Sequence, residues 1–247
     1  MGTSTSYSAP PSWGDLKGDV TRAAGEGIVT QDKAGQLLRS FIGHNGGAHA
    51  MAGRGGGGRG HAGGTVASGR AAREVASRLG GFIADVGRFG LDVALRNAGW
   101  ADLAGRTVQE ILNSLLDRLG GEASTIDDVD ARMALSRLQD KYFAESETIE
   151  ELEQLLNTQV DRLDGLLQDY FGFYLYEVFC RVFFERLVQR VGEIKAYSFL
   201  NEIGDFINST LANRADHHNM TEIDWGSTEG QALVSEMMET TLHVFGG

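Results

Sequence analysis

Apolar residues recur at helical spacing along most of this chain. The longest run opens at Thr148-Ile149-Glu150-Glu151, a capping-box pattern. It steps through Ile149, Leu152, Leu156, Val160, Leu163, Leu167, Tyr170, Tyr174 and Val178 at intervals of three and four, which puts one stripe on one helical face. After Tyr170 the helix becomes apolar nearly all round. Tyr170–Phe184 is interrupted only by Gly172, Glu177 and Arg181, so this half is the expected hydrophobic centre. The stretch is too short to span a bilayer. Glu177 and Arg181 lie four apart, a spacing that lets them pair on one face.

The same reasoning predicts shorter helices over Trp13–Ala24 and Thr30–Ile42, the second opened by Thr30 with Asp32 in its first turn. A helix over Ala71–Val86 runs past Gly80-Gly81, where a kink or a close helix contact is expected. Thr107-Val108-Gln109-Glu110 is another capping box, and its helix ends near Gly120-Gly121. Asp127–Tyr142, Ile194–Leu211 and a last helix from Thr228 to about Val244 complete the set. No alternating strand pattern stands out. The predicted fold is all-α, a helical bundle with a disordered N-terminal tail and a Gly-rich flexible insertion.

Composition agrees with helix and isolates one anomaly. The chain has 247 residues but 2 prolines, Pro10 and Pro11, both near the start. Its 34 glycines concentrate in Gly43–Arg70, twelve of them in that segment. The predicted layout is therefore a mobile tail over 1–12, short helices over 13–42, a Gly-rich basic flexible segment over 43–70 and a helical bundle domain over 71–247. The net charge is −12, which argues against a surface that grips nucleic acid everywhere. Between Lys33 and Arg73, however, there is no acidic residue, and Lys33, Arg39, Arg54, Arg59, Arg70 and Arg73 are all positive. No signal-peptide pattern opens the chain and Cys180 is the one cysteine, so a cytoplasmic protein is expected.

Little in the sequence points to catalysis. The GRGGGGRG run lacks the Lys, and the preceding strand, of a phosphate loop. His44, His49, His61, His217 and His218 lack a metal-ligand spacing, and no metal or cofactor is expected. The cluster Asp127-Asp128-x-Asp130 reads as favourable charge near a helix start, and Cys180 as a buried structural thiol. Arg54, Arg59 and Arg70, set among glycines, are candidate nucleic-acid or partner contacts, but the aromatic residues that accompany single-strand binders are missing between Phe41 and Phe82. The extreme N-terminus carries the most specific chemistry. Removal of Met1 would expose the unhindered α-amine of Gly2, and Met1–Ser6 also fits a myristoylation pattern that one chain alone would make only a marginal anchor. No membrane association is expected.

The opening MGTSTSYSAPPSW, the basic glycine-rich stretch, the segment GGTVASGRAAREVASRLGGF and the helix FGFYLYEVFCRVFFERLVQRVGEI together resemble the B component of Qat-type bacterial anti-phage defence systems. The resemblance implies a non-enzymatic subunit working beside an ATPase, a QueC-like enzyme and a TatD-like nuclease. QueC enzymes activate the carboxylate of a 7-deazaguanine with ATP. By implication, the acceptor here is the Gly2 amine, which attacks the adenylate to give an amide. Thr3 and Ser4 are then the small residues that let the tail enter the enzyme. An Arg/Gly nucleic-acid-binding protein and a plain helical assembly subunit with an inert tail are the alternatives.

Overall fold

The computed structural model describes residues 13–53, 67–212, 220 and 223–246, and these contain eleven α-helices and no strand. In chain order the helices are α1 (Trp13–Glu26), α2 (Gln31–His44), α3 (Gly47–Met51), α4 (Arg70–Phe89), α5 (Leu91–Asn97), α6 (Val108–Gly120), α7 (Ile126–Tyr142), α8 (Ile149–Val160), α9 (Leu163–Val191), α10 (Glu193–Leu211) and α11 (Thr228–His243), with one 3₁₀ turn at Ala101–Leu103.

Helix α9 forms the axis of the bundle. Helices α1, α4, α7, α10 and α11 pack against it, and its middle buries Tyr170, Phe171, Tyr174, Leu175, Val178, Phe179 and Phe183 on every side. This is the element predicted to be apolar all round. Phe41 of α2 meets Phe179 and Phe183 at centroid distances of 5.2 and 5.8 Å, and the latter two lie 4.6 Å apart. Each such ring contributes about 1.5–3 kcal/mol through burial, with a further increment from its edge-on geometry.

Local signals place most boundaries. Both predicted capping boxes form, at Thr107/Glu110 and Thr148/Glu151. A third, Thr125/Asp128, opens α7. The Gly80-Gly81 pair leaves α4 continuous and makes a close contact with an aromatic ring. A Cβ on Gly80 would stand 2.6 Å from the indole of Trp225, so only glycine admits that ring.

Three readings are corrected. The stripe from Ile149 to Val178 belongs to two helices, because the chain turns at Asp161–Arg162 between α8 and α9. The apolar phase carries across the turn, so periodicity alone does not reveal it. Glu177 and Arg181 do not pair with each other. Glu177 binds Arg137 and Arg181 binds Asp130, both on α7, because two helices in contact offer closer partners than one turn of a single helix. Within the segment expected to be flexible, residues 43–53 and 67–70 are packed: α3 forms, and Ala48, Met51, Ala52 and Ala67 are buried. Alanine and methionine among those glycines supply enough apolar surface to dock on the body. Residues 1–12, predicted as the tail, and 54–66 lie outside the described residues, as do His217 and His218.

Candidate functional site

The described residues bring together the two ends of the 54–66 segment. On the entering side α3 docks on α2 and α11. On the leaving side Gly69 has φ +62°, a left-handed conformation, and a Cβ there would stand 2.0 Å from the Met51 carbonyl oxygen. Gly53 likewise lies against the Arg73 guanidinium. The chain therefore departs and returns at one place on the surface of the body.

That place is held by a polar latch. The Gly69 N–H donates to Tyr174 Oη at 3.2 Å, and Tyr174 in turn donates to Asp127. Asp127 also accepts from Ser68 Oγ at 2.7 Å and from the Ala71 N–H at 3.2 Å. It thus satisfies an amide of the first turn of α4, which has no side-chain cap of its own. Arg73 closes the other side, donating to the Gly69 carbonyl at 3.2 Å and to Ser235 of α11 at 3.3 Å. Burial, with Asp127 beside it, holds the Tyr174 phenol well above its usual range, so it remains a donor.

The acidic cluster of α7 divides into three roles. Asp127 forms the latch and Asp128 the capping box, where hydrogen bonds from Thr125 hold its carboxyl low. Asp130 is buried in a pair with Arg181 at 2.8 and 3.1 Å. Burial outweighs the guanidinium and lifts the Asp130 carboxyl to about 6. The charge-near-a-helix-start reading describes only Asp128 in full. A Thr three residues before Asp128 was the available signal for its cap, whereas nothing local marks Asp127 or Asp130 as long-range partners.

Of the candidate modification, tail-recognition and contact residues, Arg70 is the one described. It begins α4, is exposed, and faces Glu74 at 3.5 Å. Gly2, Thr3, Ser4, Arg54 and Arg59 lie outside the described residues. The roots of their two segments do have places. Trp13, the first residue of α1, packs on the last turn of α2 against Phe41 and His44, at centroid distances of 6.1 and 5.4 Å. Helix α3, which leads to residue 54, follows directly from that turn.

The remaining reactive groups are engaged in structure. Burial pushes the Cys180 thiol up to about 12, which keeps it a thiol. His49 and His243 both face Glu239, at 3.1 and 3.5 Å. Among the described residues no group of three His, Cys, Asp or Glu has metal-binding geometry, and no helix is long and apolar enough to cross a membrane.

A family model described as Qat anti-phage system associated protein QatB matches residues 46–245, from the turn before α3 to two residues past the end of α11. No curated protein and no solved structure matches the chain.

Proposed function

The chain belongs to the QatB family and is a component of an anti-phage defence system; from that premise we propose that it acts as a substrate and adaptor, without catalysis of its own. Its Gly2 α-amine, exposed when Met1 is removed, is the acceptor for a QueC-like enzyme. The deazaguanine carboxylate is activated as an adenylate, the amine attacks the carbonyl carbon, AMP leaves and an amide forms. Thr3 and Ser4 are small enough to enter a narrow active site beside the reacting amine. The helical body then docks the conjugate on the ATPase or the TatD-like nuclease of the same system.

The observation that carries this reading is the Met1-Gly2-Thr3-Ser4 opening, joined to the body at Trp13. Twelve residues before α1 have a maximum reach of about 40 Å, enough to enter a partner's active site. Intact-mass measurement of the protein, made alone and then together with its QueC-like neighbour, tests it. An adduct on the N-terminal peptide that appears only in the second sample, and is absent from Gly2→Pro, is the expected result. Loss of Met1 and nothing else in both samples overturns it. Salt-dependent nucleic-acid binding that disappears when Arg54, Arg59 and Arg70 become Ala would then favour the Arg/Gly reading instead.

A further inference from the structure

The first turn of α9 opens on a cleft of about 300 Å³, lined also by Tyr142 of α7, Gln159 of α8, and Leu211 and Ala212 where α10 ends. Two buried carboxylates line it. Asp169 is satisfied, accepting from Lys141 Nζ and from Tyr142 Oη. Asp164 is not. It is 4 % exposed, its Oδ1 accepts the Gly165 N–H at 2.8 Å, and its Oδ2 is buried with no hydrogen-bond partner among the described residues. An unpartnered buried carboxylate oxygen carries a desolvation cost larger than that of a neutral acceptor, and a donor arriving through the cleft would relieve it.

A second feature points the same way. Helices α7, α8 and α10 all reach this cleft by their C-terminal ends, at Tyr142, Gln159 and Leu211. Helix C-termini carry partial negative charge and carbonyls without intrahelical donors, and both favour a cation. Only α9 presents the opposite pole, and its first two turns supply the two carboxylates. Arg162, the one cation in the lining, is solvent-exposed.

We propose that this cleft binds a compact cation bearing N–H donors, an ammonium or guanidinium group, with Asp164 Oδ2 as its principal acceptor. Gln159, 6 % exposed, offers its side-chain carbonyl as a second acceptor. The site stands apart from the N-terminal conjugation proposed above and does not depend on it.

Calorimetric titration of the full chain tests the proposal with three probes: agmatine, the blocked peptide acetyl-Gly-Arg-Gly-amide, and the same peptide with neutral citrulline in place of arginine. A guanidinium probe binds, and the citrulline peptide binds about tenfold more weakly or worse, as expected when one charge-assisted hydrogen bond is lost. Asp164→Asn gives a similar loss, as does Ala212→Phe, which fills the cleft without altering the carboxylate. Tighter binding of agmatine identifies a small free molecule as the source of the cation, and tighter binding of the peptide identifies a side chain of a partner protein. Absence of binding by both guanidinium probes, equal binding of the citrulline peptide, or unchanged binding in an Asp164→Asn protein that still melts cooperatively would each overturn the proposal.

Discussion

The middle of α9 and the junction of α3 with α4 are buried to similar depth, yet different physics holds each in place. In α9 the material is Tyr170, Phe171, Phe179 and Phe183, large rings whose burial is non-directional and adds up with area. At the junction the buried residues are Ala48, Ala52, Ala67 and Met51, and the arrangement depends on one glycine conformation and on hydrogen bonds through Tyr174 and Asp127. The first kind of order tolerates a change of shape and scales with the size of the side chain. The second is all-or-none at each position.

Truncating Phe183 to Ala tests the first kind most directly and has the largest expected effect, a loss of about 3–5 kcal/mol read from denaturant unfolding. Next comes the polar edge of α9. The folded Asp130 carboxyl, at about 6, sits above its unfolded value of 3.8, so protonation favours the folded state. Its contribution is full below pH 4 and is lost as pH rises through 6, a span on the order of 3 kcal/mol. Stability measured against pH in Asp130→Asn should lack that component, and an unchanged profile would contradict the assignment. At the junction, Gly69→Ala brings a Cβ onto the Met51 carbonyl in a positive-φ conformation and should cost roughly 2–3 kcal/mol. Amide exchange would show its effect concentrated in α3 and the first turn of α4. Smallest is Thr148→Ala, which removes a side-chain cap of α8 and should lower stability by about 1 kcal/mol in thermal melts.

The same contrast explains what could be read from the sequence. The all-α class, the capping boxes at Thr107 and Thr148 and the apolar centre after Tyr170 were legible because periodicity and caps are local properties. The turn at Asp161–Arg162 was not, since the apolar phase continues through it. Helix α3 was hidden because a glycine-rich composition masks the few alanines that dock, and α5 with the following 3₁₀ turn because each is too short to show a period. Among the site residues, Asp127, Asp130 and Asp164 each look like an ordinary helical acid in the sequence. Their roles depend on partners 47 to 59 residues away, or on a cleft assembled from four helices. The resemblance of the long motifs to a defence-system family was carried by residue order and not by any of these features.

The latch at Gly69, Tyr174 and Asp127 makes the body indifferent to how much chain lies between residues 53 and 67. With both roots fixed side by side, doubling the intervening length costs only about 0.6 kcal/mol of closure entropy. A fluorescent domain or an affinity epitope spliced between Gly53 and Ala67 should therefore leave the bundle folded. The position is a natural port for following the protein in the cell with both termini left unaltered.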